Sequence, residues 1–292
     1  MTREQIIERE TRLARPVGLA TAAILPLFLI ASGLDPVAGP VPLSGVETER
    51  YRALHEHASG VIGAAVLRGA ALALIAVPLW YLFRAAQARN PRVNGPMIGF
   101  VFLGPLLFAV QGIVSAVGQT QVASDFVAQI GPGGDLYTLL DDLKDDSTLF
   151  AVGQNLIFPA ILGLGVAMVY VPLQALRVGL LTKPFAILGM VFAVSTILLA
   201  AGLALLALAF WFGWLGMLIL GRTPKGRPPA WAAGEAVPWP RAGEKAVAQQ
   251  RSEPAVVEGD ATEAFGSGEA DSPKDQSARR ERARKKKRKR RQ

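Results

Sequence analysis

The chain is expected to fold as an all-α, polytopic transmembrane helix bundle with six spans and a disordered C-terminal tail. Three observations predict this. Hydrophobic residues make up 51% of 292 and charged residues only 18%, below the ~25% usual for soluble domains. Five apolar stretches are long enough to cross a bilayer core, which takes ~20 residues. Lys and Arg gather in alternate connections.

Residues 1–15 are basic, with Arg3, Arg9, Arg12 and Arg15, and are expected on the cytoplasmic side. The first span is 16–34. A cleaved signal peptide is its alternative reading, but an apolar run of about 18 residues exceeds the usual 7–15. The second span, 61–83, contains Arg68 and should bend near Pro78, with Trp80 and Tyr81 in an aromatic belt. The third and fourth spans are 96–118 and 149–174, with Tyr170 in the same belt. "VPLWYLFR" and "VPLQALR" end the second and fourth spans as a weak internal echo.

Pro184 to Leu220 carries no charge over 37 residues. One straight helix of that length would be about 55 Å long, against a core of ~30 Å. Tilt cannot absorb the excess, so the run divides near Ala201-Gly202 into spans 184–200 and 203–220. Six spans put 84–95, 175–183 and residues after 221 on the side of the N-terminus. These hold most loop Lys and Arg, whereas 35–60 and 119–148 hold only Arg50, Arg52 and Lys144. Both ends are therefore expected in the cytoplasm, and the protein in the cell membrane.

The tail, 222–292, begins with "GRPPAWAAGEAVPWP", suited to lie at the inner leaflet or pack beneath the bundle. Residues 241–278 are polar and acid-rich. The basic end, 279–291, holds 11 Lys and Arg and one Glu. Arg284, Lys285, Lys286, Lys287, Arg288, Lys289, Arg290 and Arg291 should bind anionic inner-leaflet lipid at ~1 kcal/mol each before saturation. Ribosomal RNA or other nucleic acid is the second partner for such charge, but no aromatic residues interleave for base stacking.

Arg68 lies roughly 12 Å below the start of its span by helical rise. Ala64, Ala65 and Ala71 share its face, and Ala65 and Gly69 make a small-xxx-small pair that lets helices approach. His57 falls near the same face. Gln111, Gln154, Asn155, Ser195 and Thr196 stand at similar depth on other spans, so the six-span topology gathers them with Arg68 in one polar layer. That layer either bolts the helices together or ends an outward-facing pocket for a carboxylate or phosphate.

Known hydrolase, zincin and phosphate-loop motifs are absent, and neither histidine has an obvious serine partner in sequence. With no cysteine and two histidines, no metal site or cofactor is expected. "HEH" at 55–57 supplies too few ligands. "GPGGD" at 131–135 reads as a turn. Asp145, Asp146 and Ser147 read as the start of the fourth helix.

"LQALRVGLLTKPFAILGMVFAV" (173–194) and "GRPPAWAAGEAVPWP" (226–240) resemble segments of uncharacterised bacterial multi-pass integral membrane proteins of the domain-of-unknown-function type. The resemblance implies fold and location and carries over no site residue. In composition alone, the basic end resembles the tails of ribosome-touching membrane insertases, whose charged groove opens to the cytoplasm rather than outward. Two functions are expected: a non-enzymatic membrane protein acting through packing, lipid or protein contacts, or a transporter or binder of a small anionic solute or lipid at Arg68. In this cysteine-free chain, single cysteines at positions 130 and 90 should react with impermeant thiol reagent from outside and inside respectively; the reverse pattern would invert the topology.

Overall fold

The computed structural model describes residues 2–35, 46–131, 135–198, 201–224 and 226–239. Among these residues all regular structure is helical. Four helical stretches are long and apolar enough to cross a membrane, and two shorter apolar helices follow.

The first stretch, α1 (Arg3–Leu34), starts earlier than its apolar run. A capping box fixes that start: Thr2 Oγ1 accepts from Gln5 N, and Gln5 Oε1 accepts from Thr2 N at 2.9 Å. The basic N-terminal segment is therefore a helical extension of the span. After it come a short helix, α2 (Val46–Glu56), then α3 (Ala58–Leu74) and α4 (Ala76–Arg89), which form one stretch interrupted at Ile75. Pro78 has no N–H to offer the carbonyl of Leu74, and at that point Ile75 N bonds Leu72 O instead of continuing the α pattern. The bend expected near Pro78 thus lies three residues before it.

Next come α5 (Ile98–Gln129), α6 (Leu136–Asp146) and α7 (Thr148–Arg177). Ser147 caps α7 by accepting from Phe150 N, as expected, but Asp145 and Asp146 close α6 instead of opening α7. The charge-free run divides into α8 (Lys183–Leu198) and α9 (Ala201–Ile219). Phe185, in the first turn of α8, stacks on Trp211 of α9 at 4.9 Å and its carbonyl accepts from the Trp211 indole at 2.9 Å. A two-residue connection between packed helices makes them an antiparallel hairpin. A single helical turn, α10 (Pro229–Ala233), follows.

Close glycine contacts set the register. A Cβ on Gly104 would lie 2.5 Å from the Gly163 backbone, one on Gly153 2.6 Å from Ser115, and one on Gly118 2.7 Å from Phe150 N. Numbers fall on α7 as they rise on α5, so these helices run antiparallel along a rail of small residues. Gly18 against Leu220, Gly216 against Ala22 and Gly213 against Leu25 do the same for α1 and α9. Packing runs from α1 to α9, α8, α7, α5, α3 and back to α1. Inside this ring, α4 touches α1, α5 and α7, and Leu79, Leu82, Phe83, Ala85 and Ala86 are buried.

The helices end at different levels. Arg68 meets Asp35 at the end of α1, and Gly69 meets Ile113. The register from Leu25 and Gly213 places the start of α9 level with the end of α1. From Ile113, α5 continues to Gln129, roughly 24 Å of rise. There α3, α5 and α7 meet α2 and α6 around a second core that includes Tyr51, Leu54, Val122, Phe126 and Leu140. The body formed by the ring and α4 has its own core. On the outside of that body, Leu19, Phe102, Leu103, Leu162, Ile187, Val191 and Phe210 are exposed, an apolar belt suited to lipid. Gly104→Leu should destabilise the protein by about 1–3 kcal/mol through overpacking and lower its melting temperature in detergent, whereas Gly63→Ala, with open space at its Cβ, should leave that temperature level or raise it.

Candidate functional site

Arg68 extends from α3 to the C-cap of α1, where Nη2 donates to Asp35 Oδ2 at 3.2 Å. Their side chains are 29% and 15% exposed, so the pair is partly wetted and its net stabilisation is modest, about 0–1 kcal/mol. It stands at the wall of a cavity of about 220 Å³ between α1, α2, α3 and α5. Arg50 of α2 reaches the same cavity and donates to Gln119 Oε1 at 3.1 Å. Ser115 and Gln119 are the polar groups from α5; Leu54, Val61, Ala65 and Ala116 supply apolar wall. Two guanidinium groups against one carboxylate leave the lining with a net positive charge. Below it, Ala71, Leu72, Ile75 and Leu79 are buried in the body core, so the cavity lies above a filled axis.

The expected polar layer assembles only in part. Gln111 is buried and donates to Ser115 Oγ at 2.9 Å and to Gly153 O at 3.2 Å. It thereby supports a cavity residue and ties α5 to α7. Gln154 and Asn155 are exposed on α7. Thr196 is buried but returns its hydroxyl to Ala193 O at 2.7 Å, and Ser195 is half-buried beside it on α8. Depth alone grouped these side chains; helical rotation separates them. His57 is exposed, with Nδ1 3.1 Å from Ala53 O, outside the cavity lining. His55 does have a serine partner: Nδ1 lies 3.2 Å from Ser124 Oγ on α5. That pair is exposed, and neither residue lines the cavity. No group of three or more metal-ligating side chains occurs among the described residues. The basic end, Arg284 to Arg291, lies outside the described residues.

Asp35 was missed as the partner of Arg68, and Arg50 as a second cation lining the same cavity. Asp35 follows the first apolar run directly, which is the one signal that could have found it. On the rim beyond, Lys144 donates to Glu47 at 2.6 Å and to Asp141 at 3.1 Å. Burial acts to lower the Lys144 pKa, but these bonds outweigh it and hold the ammonium above its ordinary value. Asp135 caps α6; bonds from the Thr138 hydroxyl and the Tyr137 and Thr138 amides hold its carboxyl below its ordinary value.

A second charged centre lies at the opposite end of the body. Arg89, the last residue of α4, grips Glu10 of α1 at 2.5 and 2.8 Å. Both side chains are buried, at 0% and 4% exposure. Arg89 also donates to Ala85 O and Ala230 O, each at 3.0 Å. Trp231 of α10 packs 5.8 Å from the Arg89 guanidinium, stacks on Tyr81 at 5.5 Å and donates to Leu180 O at 3.0 Å. Tyr81, expected in a lipid-facing belt, is instead buried here, its hydroxyl donating to Glu10 O at 2.9 Å. Trp239 N–H to Leu181 O and Val237 N–H to Val178 O continue the docking of 226–239 beneath the bundle.

No family model matches the chain, and neither the curated proteins nor the solved structures contain a match to it. The buried centre is a structural lock, and the wetted cavity at Arg68 is the candidate binding site. Glu10→Gln or Arg89→Met alone should cost about 3–5 kcal/mol by stranding a buried charge. The double variant should recover much of that loss in a thermal melt.

Proposed function

We propose that the chain is a six-span protein of the cell membrane with both ends cytoplasmic, and that it binds a small anionic group at Arg68. The six crossings are supported by helix direction. α1 and α9 run antiparallel, as the first and sixth members of an up-and-down series must. The Lys and Arg bias supports the orientation. The hydrocarbon layer fits between Gly18 and Asp35, roughly 26 Å of helical rise, near the ~30 Å of a typical core. Arg68 then stands at the outer edge of the layer, and the α2/α6 cap stands outside. A charge at that edge costs less than at mid-depth. Anionic inner-leaflet lipid remains the proposed partner of the basic end. The resemblance to uncharacterised multi-pass membrane proteins is consistent with this location.

The observation that carries the binding reading is the cavity with Arg68 and Arg50 converging on it. Guanidinium forks suit a planar carboxylate or a phosphate, and a ligand anion can exchange with Asp35 for the Arg68 N–H groups. Binding rather than chemistry fits the described lining, where the Ser115 hydroxyl accepts from an amide, Gln111, and the Asp35 carboxylate is engaged by Arg68. A purely scaffolding role is the second reading, favoured by the Arg68–Asp35 pair itself and by the filled axis beneath it. A ligand-stabilisation screen of small carboxylates and phosphates on purified protein tests the two. Anions that raise the melting temperature of wild type should lose that effect in Arg68→Ala and keep part of it in Arg68→Lys. Hits shared equally by wild type and Arg68→Ala would remove the site, and a screen with no anionic hit would favour the scaffold.

A further inference from the structure

The end of the bundle away from Arg68 holds a second cavity, of about 360 Å³, between the α8–α9 hairpin and the docked segment 226–239. Its polar lining includes Thr182, which precedes α8, Thr223 and the half-buried Arg227. Its apolar lining includes Phe185, Trp214, Leu218 and the Trp239 ring. Among the described residues no acidic side chain lines it, while Lys183 and Arg222 adjoin the lining in sequence. Arg227 gives one N–H group to Ile219 O and packs its face 5.9 Å from Trp231. Ile219 O takes one of the five N–H donors that a guanidinium carries. From the cavity an exposed stripe runs along α9: Met217 at 38%, Trp214 at 55% and Phe210 at 57%. These positions share one helical face and lead from the end of α9 toward the middle of the body.

A polar, cationic pocket at the end of a helix, continued by an apolar stripe toward mid-bilayer, matches a molecule with an anionic head and a long chain. We infer that this cavity is a binding site for an anionic phospholipid, with its phosphate at Arg227 and Thr182 and an acyl chain along Trp214 and Phe210. Trp239 closes the site, because its indole N–H is held by Leu181 O at 2.8 Å. The docked segment is thus one wall of a lipid site as well as a plug. This inference rests on the membrane reading and is independent of anion binding at Arg68.

The test uses full-length protein stripped of lipid in a neutral detergent. Phosphatidylglycerol and phosphatidylcholine with identical chains are added separately, and thermal stability and retained lipid by native mass spectrometry are read. Wild type should retain one phosphatidylglycerol and prefer it over phosphatidylcholine about fivefold, the factor expected from one Arg–anion contact. Trp214→Ala, at an exposed position, should fold and lose retention of both lipids. Arg227→Lys should keep retention but weaken the preference. Arg68→Ala should change neither, so failure here and failure of the Arg68 reading are distinguishable. Equal retention of the two lipids by wild type, unchanged retention in Trp214→Ala, or equal stabilisation by inorganic phosphate alone would overturn the assignment.

Discussion

The bidentate pair between Arg89 and Glu10 is the constraint on which the inner architecture depends. Two buried charges removed from water are tolerable only when each is nearly satisfied by the other and by neighbouring dipoles. Glu10 must therefore lie on a helix that reaches beyond its apolar run, which is why α1 is capped at Thr2 instead of near Arg15. Arg89 must end a helix pointing at the same spot, which sets the length of α4. The carbonyl of Ala230 and the face of Trp231 complete the guanidinium shell, so the segment after α9 is drawn under the bundle. One ion pair thus fixes three parts of the chain that are far apart in sequence.

The two ends of the body are consequently unlike. At the Arg89 end, charge is enclosed by aromatic rings and carbonyls, and the axis above it is filled by Leu79, Leu82 and Phe83. At the Arg68 end the corresponding pair sits on the wall of a cavity, and the helices continue past it into a separate core. Arg68 lies between Ala65, which belongs to the cap core, and Ala71, which belongs to the body core. The cavity thus has the cap core on one side and packed side chains on the other. That geometry suits recognition at one membrane face more readily than passage through the layer.

Much of this was legible from residue order alone. Apolar length and the absence of charge over Pro184–Leu220 gave the helices and their hairpin, because those properties are local. The small-residue face around Arg68 was readable for the same reason, and Gly69 does meet Ile113 closely. What escaped was rotational or distant. Gln154 and Asn155 share a depth with Arg68 but not a direction, and depth was the only coordinate that counting residues supplies. Glu10 and Arg89 were not singled out, since nothing local distinguishes a buried flanking charge from an exposed one. α2 and α6 were hidden by their polarity: each covers a small core with a few apolar residues, too few to register as a span.

The docking of Trp231 also has a consequence in time. A chain leaves the ribosome from its N-terminus, so α1 and α4 are made long before residues 226–239. Until that segment emerges, Arg89 and Glu10 can find each other but not Ala230 or the Trp231 ring. The shell around Glu10 of α1 is therefore completed only when that later segment docks. Docking of Ala230 and Trp231 is the step that encloses the Arg89–Glu10 pair.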